Sequence, residues 1–203
     1  MTGRRGRFVV LEGGEGAGKS TQAARLADHL GAVLTREPGD TELGARLREL
    51  LLDTPGPIDD RAEALLMMAD RAQHVTQLVE PSLAAGRDVV CDRFSGSTVA
   101  YQGYGRGQDV GIVEAVSAWA ANGLEPDLVL WLDIDPTVAA ARVGTRPDRI
   151  EAAGDEFHRR VTEGFAQQCA DDPETWVRID AGGSEAEVTE RIEVAIELHL
   201  GPA

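Results

Sequence analysis

Short β-branched runs alternate along the chain with longer stretches in which apolar residues recur every three or four positions. That alternation predicts a parallel sheet flanked by helices. Phe8 to Leu11 reads as the first strand, and Ser20 to Leu30 as its helix, with Ala23, Leu26, Ala27 and Leu30 on one face and Gly31 as the stop. Ala32 to Thr35 predicts a second strand, followed by a turn at Glu37-Pro38-Gly39 and a helix from about 42 to 52. Asp60, three residues before Glu63, predicts a capping box that opens a helix running through Leu65, Met68, Ala72, Val75 and Val79. Asp88 to Cys91 and Leu128 to Leu132 are continuously apolar, as central parallel strands are, and between them a helix spans about 110 to 122 with Gly123 as its stop. Pro136 suits the first turn of a helix through Val138 and Ala141, and a polar, arginine-bearing turn from Arg142 to Arg149 precedes a helix to about Cys169. Trp176 to Ile179 is the fifth strand, and Ser184 with Glu187 caps a final helix carrying Val188, Ile192 and Ile196. The expected fold is a three-layer α/β domain over residues 1–203 with a five-stranded parallel sheet; periodicity leaves the strand order open.

Composition narrows the function. The 203 residues carry 20 basic and 35 acidic side chains, a formal net charge of −15, which argues against non-specific binding to nucleic acid or anionic membrane, because such binding needs a cationic face. The apolar stretch behind the basic start, Phe8 to Leu11, is too short for a signal-peptide core or a membrane span, so the expected location is the cytoplasm. Cys91 and Cys169 lack CxxC spacing and are expected as reduced thiols, and the scattered histidines as surface or satisfied core residues. Every basic residue but one is arginine; the single lysine is Lys19, a position that calls for an ammonium rather than an ordinary surface charge.

That lysine sits in Gly13-Gly14-Glu15-Gly16-Ala17-Gly18-Lys19-Ser20, a match to GxxxxGK[ST] between a predicted strand and a predicted helix. Glycines let backbone N–H groups converge on phosphate oxygens, the helix N-terminus adds positive potential, and Lys19 supplies a mobile charge to the β- and γ-phosphates. Ser20 is the candidate magnesium ligand, and Thr21 belongs to the same nucleotide-binding stretch. A GTPase would also need NKxD, which is missing; Asp53-Thr54-Pro55-Gly56 resembles a DxxG loop but follows a helical pattern and reads as a helix-ending turn.

At the end of the third strand, Asp92-Arg93 puts a carboxylate and a guanidinium at the carboxyl edge of the sheet, where doubly wound folds bind ligands. Asp92 could hold magnesium, directly or through water, and Arg93 could fork across a phosphate. Arg36 and Arg48 flank a loop near another strand end, and Arg142, Arg146 and Arg149 cluster before the long helix. Two anionic nucleotides brought together in an acidic protein need such arginines.

These residues lie within a longer pattern: FVVLEGGEGAGKSTQ, TREPGDTELG, ADRAQH, VVCDRF followed by S-T-V-A-Y-Q-G, PDLVLWLDIDP, DRIEAAGDEFHRRVTEGF and WVRIDAGGSEAEVTERI. In order and spacing it resembles the bacterial thymidylate kinases over nearly the whole chain. The resemblance implies a P-loop kinase fold with a small lid at about 142–154, transfer of the γ-phosphoryl of ATP to dTMP with Mg2+, and a cytoplasmic homodimer. It implies that Glu15 lies near the acceptor's sugar and phosphate, and that Arg36, Glu37, Pro38 and Arg48 face the acceptor. It makes Arg71 the donor to the thymine carbonyl and lines the base and deoxyribose with Thr98, Tyr101 and Gln102. The phosphate loop carries no arginine, so the resemblance takes the catalytic arginine from the lid, at Arg142 or Arg146. Met67 stands where the family usually has a stacking phenylalanine, Gly144 where it usually has an arginine, and Arg146 where an acidic residue is common. Three other readings stay open: a kinase for another or modified pyrimidine monophosphate; further off, a P-loop hydrolase or switch; and last, a non-catalytic nucleotide-binding regulator.

Overall fold

The structure is a computed structural model and describes residues 4–142 and 149–201. Among these residues the sheet has five parallel strands in the order β2-β3-β1-β4-β5, with β1 at Phe8–Gly13, β2 at Val33–Arg36, β3 at Val89–Asp92, β4 at Leu128–Asp133 and β5 at Trp176–Asp180. Each lies within two residues of its sequence expectation. From β1 the chain crosses to β2 on one side of the sheet and from the adjacent β4 it crosses to β5 on the other, so a crevice opens at the carboxyl ends of β1 and β4, where such folds bind ligands. Register sets what meets there: Leu11 and Arg36 both pair with Asp92, and Gly13 pairs with Leu132.

One face of the sheet, Val9, Leu11, Val90, Leu128, Leu130 and Leu132, is sealed by Ala23, Leu26 and Ala27 of α1 (Lys19–Leu30) and by Val188, Ile192 and Ile196 of the last helix. The other face, Phe8, Val10, Val89, Cys91 and Val129, packs against Val75, Val79 and Leu83. With both faces covered, the central strands β1, β3 and β4 read as apolar runs, and for that reason the sequence located them; the edge strands β2 and β5 are only partly buried and carry polar residues. The remaining helices are α2 (Glu42–Asp53), α3 (Asp60–His74), α4 (Glu80–Ala84), α5 (Ser95–Thr98), α6 (Val110–Ala120), α7 (Pro136–Arg142), α8 (Asp155–Asp171) and α9 (Glu185–Leu200). Asp53 ends α2, so the DxxG-like stretch is a helix-ending turn.

Three local differences from the sequence expectation have physical causes. The α3 cap is Asp59, whose carboxylate accepts from Arg61 N at 3.1 Å; Glu63 is fully buried and makes no capping box. The helix expected to end near Val79 continues into α4 through a π-helical turn at Val75–Val79. Pro81 has no N–H and its ring would clash with the carbonyl of residue 77 in a regular helix, and a wider turn relieves this. The stretch Ser95–Gly105, a helix without a sequence signal, is α5 followed by a second π-helical turn, Val99–Gly105. It is buried nearly all round by small and polar residues, so no apolar stripe marks one side.

Candidate functional site

The loop from β1 to α1 is built by backbone conformation. Gly16 (φ 71°) and Gly18 (φ 88°) lie in the left-handed region, and a Cβ on Gly16 would stand 2.6 Å from Ala139 O. Lys19 Nζ reaches back to donate to Gly14 O at 2.6 Å. Burial, with help from nearby Arg93, pulls the pKa of its ammonium down to about 7, so an arriving anion would restore a charge that desolvation opposes. Ser20 Oγ donates to Asp92 Oδ2 at 2.5 Å, while Asp92 Oδ1 is buried without a hydrogen-bond partner among the described residues. An orphaned carboxylate oxygen beside a serine hydroxyl is a donor set of the kind Mg2+ takes.

Beside this loop lies a cleft of about 210 Å³. All ten residues expected at the acceptor border it: Arg36, Glu37, Pro38, Arg48, Met67, Arg71, Arg93, Thr98, Tyr101 and Gln102. So do Glu15, Lys19, Ser20 and Asp92. A chain with net charge −15 thus gathers four arginines and its only lysine around one opening.

The cleft residues are held by their neighbours. Arg93 has φ 72°; its Nη1 donates to Gly13 O and to Ser97 Oγ, both at 3.0 Å, its guanidinium stands 5.1 Å over the Tyr101 ring, and Glu15 lies 3.8 Å away. Arg48 donates to Pro38 O at 2.9 Å. Arg36 is exposed at the end of β2. Met67 packs with the cluster of Tyr101, Trp131, Ile150, Phe157, Val161 and Phe165 while also facing the cleft, so it is both core and lining.

Arg71 is more constrained than the sequence suggests. It is fully buried, with Nε and Nη2 on Glu37 Oε2 at 2.9 and 2.7 Å, Nη2 on Thr98 Oγ1 at 3.0 Å and Nη1 on Ser117 Oγ at 2.8 Å. The other Glu37 oxygen meets His74 Nδ1 at 2.8 Å, and His74 Nε2 meets Thr35 Oγ1 at 2.7 Å, which makes His74 the satisfied core histidine expected. Gln102 donates to Glu63 Oε1 at 2.9 Å. Glu63 is the hub of a buried clamp that also takes Arg106, at 2.9 Å, and Arg149, at 2.6 Å. Burial alone would raise the Glu63 carboxyl, but bonds from Arg106, Gln102 and Arg149 together hold it below its ordinary range.

Of the lid arginines, Arg142 bonds the backbone at Ala181 O and Gly183 O, at 3.2 and 2.9 Å, and lies away from the cleft. Arg149 is tied to Glu63 and to Leu51 O at 3.0 Å. Arg146 and Gly144 lie outside the described residues. Asp70, Phe94, Ser97 and His158 border the cleft without having been given a role from sequence; their one signal was membership in the quoted pattern, in ADRAQH, VVCDRF, S-T-V-A-Y-Q-G and DRIEAAGDEFHRRVTEGF respectively.

Comparison with known proteins supplies the family. Residues 11–192 match the family described as thymidylate kinase. This chain belongs to the thymidylate kinase family. Curated family members include the thymidylate kinase of Synechococcus sp. strain JA-3-3Ab, 51% identical over 198 residues and covering 95% of this chain and 96% of the relative. That of Cutibacterium acnes is 49% identical over 193 residues, covering 92% and 94%. Among solved structures, the thymidylate kinase of Ehrlichia chaffeensis superposes with a TM-score of 0.80 at 29% identity, covering 95% of this chain and 99% of that one. The P-loop kinase fold expected from the family pattern is therefore the fold observed.

Proposed function

We propose that this chain transfers the γ-phosphoryl group of ATP to dTMP, giving ADP and dTDP for dTTP synthesis. The observation that carries the reading is the single cleft in which the phosphate-loop residues Lys19 and Ser20 face Arg36, Arg48 and Arg93, with Arg71, Thr98, Tyr101 and Gln102 beyond them. Two anionic substrates would meet between these cationic groups, ATP from the phosphate-loop side and dTMP from the side of Arg36, Arg48 and Arg93.

Phosphoryl transfer of this kind runs on positioning and charge neutralisation rather than covalent chemistry. The backbone from Gly13 to Ser20, with Ala17 and Thr21, would cradle the ATP phosphates, and Lys19 would follow the charge of the transferred group. Ser20 and Asp92 would hold Mg2+, which when bound neutralises part of the phosphate charge. Arg93 would fork across the dTMP phosphate with Arg36 and Arg48 behind it, and Glu15 would face the acceptor's sugar and phosphate. Arg71 and Thr98 would read the base, and Glu37 and Pro38 would shape its pocket. Arg149 is tied to Glu63 and Arg142 to Ala181 O and Gly183 O, so the lid arginine that meets the transferred group would be Arg146, or Arg142 after giving up those backbone bonds, as the lid excludes water that otherwise competes as acceptor.

The protein would work in the cytoplasm as a homodimer. No helix among the described residues is long and apolar enough to cross a membrane. The neighbouring helices α2, α3 and α6 present Leu43, Leu50, Leu65, Ile112 and Trp119 to solvent, Trp119 at 81% exposure. A second copy of the chain is the occupant proposed for this surface, since patches of this kind mark interaction sites.

The test is ADP release with ATP and Mg2+ against dTMP, dUMP, dCMP, UMP, dGMP and no acceptor at matched concentrations. Turnover that depends on dTMP supports the assignment. Met67 on the cleft wall favours one second reading, a kinase for another or modified pyrimidine monophosphate, because a thioether contacts a base face less directionally than a ring. Turnover confined to a different acceptor would select it, and acceptor-independent turnover would reject both.

A further inference from the structure

Glu12, the penultimate residue of β1, is completely buried, yet the phosphate-transfer scheme above gives it no task. An ionisable side chain at the centre of a fold is costly unless its oxygens are fully used, and here they are. Oε1 accepts from Phe94 N at 3.0 Å and Ser97 N at 2.9 Å, and Oε2 accepts from Ser97 Oγ at 2.5 Å. Ser97 Oγ in turn accepts from Arg93 Nη1 at 3.0 Å. A hydroxyl can accept from the guanidinium and donate to the carboxylate at once, so the three side chains form a directed chain whose polarity suits an ionised Glu12. Burial raises the Glu12 carboxyl above its ordinary range, and the bonds from Ser97 and Phe94 together with the charge of Arg93 work against that rise.

Arg93 needs such support. Its φ of 72° is unusual for a residue with a Cβ, and a residue held in a sparsely populated conformation persists only where its surroundings over-determine it. Its backbone N–H is fixed on Leu11 O at 3.0 Å, and Glu12 fixes the next turn through Phe94 N and Ser97 N. Main chain and guanidinium are thus both referenced to one buried carboxylate on β1, the strand that carries the phosphate loop.

We propose that Glu12 is a positioning residue for the reaction: acting through Ser97, it holds the Arg93 guanidinium at the junction between the phosphate loop and the acceptor pocket. The proposal rests on Arg93 meeting the acceptor phosphate. Glu12 touches neither nucleotide. It sets where the fork waits, so that dTMP binds a guanidinium already in place rather than one that must be ordered on arrival.

Glu12→Gln tests this with little change of shape. The amide oxygen can keep both backbone N–H bonds, so the start of α5 stays capped, while the amide nitrogen donates to Ser97 where the carboxylate accepted. Ser97→Ala removes the link and leaves the Glu12 backbone bonds intact. The dTMP dissociation constant is measured by calorimetry for wild type, Glu12→Gln, Ser97→Ala, Arg93→Met and Glu12→Gln/Arg93→Met, with thermal unfolding confirming that each is folded. Loss of one charge-assisted link should weaken dTMP about tenfold in Glu12→Gln, and Ser97→Ala should weaken it in the same direction. The KM for ATP should move less than about twofold, and in the Arg93→Met background Glu12→Gln should change dTMP affinity less than about twofold, since the pair acts as a unit.

Wild-type dTMP affinity in both Glu12→Gln and Ser97→Ala, with Arg93→Met impaired, would overturn the positioning role and leave the Arg93 assignment standing. Equal weakening by Glu12→Gln with and without Arg93 would also overturn it, because the effect would then not pass through the guanidinium. Unchanged affinity in Arg93→Met would refute the acceptor-phosphate role and this proposal together.

Discussion

Asp70→Asn should stabilise the ligand-free protein at neutral pH by an amount that disappears in acid. Asp70 lies on α3 at 1% exposure; Oδ1 accepts from Gly39 N at 3.1 Å, and Oδ2 is buried with no hydrogen-bond partner among the described residues. Burial, and then the Glu37 carboxylate beside it, push its pKa from 3.8 up to about 6, against the weaker pull of His74 and the Gly39 N–H. A group whose folded pKa is raised holds its proton more tightly when folded. Its effect is therefore absent below the unfolded value near 3.8, and stability falls as pH climbs to about 6 and stays reduced above it. A shift of that size corresponds to about 3 kcal/mol. Asparagine keeps the Oδ1 acceptor and drops the charge. Its second polar atom is as unpartnered as the oxygen it replaces, so that cost cancels in the comparison with the protonated acid. Urea denaturation of both proteins at pH 4, 5, 6 and 7.5 should give a difference that opens between pH 4 and 6 in favour of the variant and is then flat. A pH-independent difference, or one that opens in favour of wild type, would refute the reasoning. Because Asp70 borders the cleft, its KM for dTMP is a separate measurement, and stability gained at a site edge is often offset by lost function.

Other outcomes follow from the same geometry. Lys19, with its ammonium lowered to about 7, should take up a proton when ATP binds at pH 8, so calorimetry in two buffers of different ionisation enthalpy should show an uptake missing from Lys19→Met; that variant should also lose turnover while still binding dTMP. Glu63→Ala leaves Arg106, Arg149 and Gln102 without their shared acceptor and should cost about 3–5 kcal/mol in chemical denaturation, with a raised KM for dTMP; a variant as stable as wild type would show that the clamp carries no weight. Trp119→Asp places a charge on the exposed apolar side of α6 and, if the proposed homodimer forms through this surface, should convert it to a monomer by light scattering without unfolding it. An unchanged mass would place the interface elsewhere.

The sequence by itself determined the strands and the phosphate loop, and the reasons are local. Strands buried on both faces must be continuously apolar, and Gly16 and Gly18 must adopt conformations that other residues resist, so both leave marks that need no knowledge of neighbours. Of the acceptor residues, Arg36, Arg48 and Arg93 were legible from their place at strand ends, whereas the others were legible only through the family pattern; nothing in the periodicity of Arg71, Thr98 or Gln102 announces a pocket. Tertiary structure alone decided the strand order, which brings Asp92 and Arg36 beside the phosphate loop, and it alone assigned the polar partners. Glu63 has the spacing of a helix cap and becomes instead the buried anchor of Arg149, while Glu12 reads as an interruption of an apolar strand and becomes the support of Arg93. A carboxylate's role depends on which cations and N–H groups the fold brings within reach of it, and those come from residues far along the chain, 82 and 85 positions away for Glu12 and 39 and 43 for Gln102 and Arg106 on Glu63.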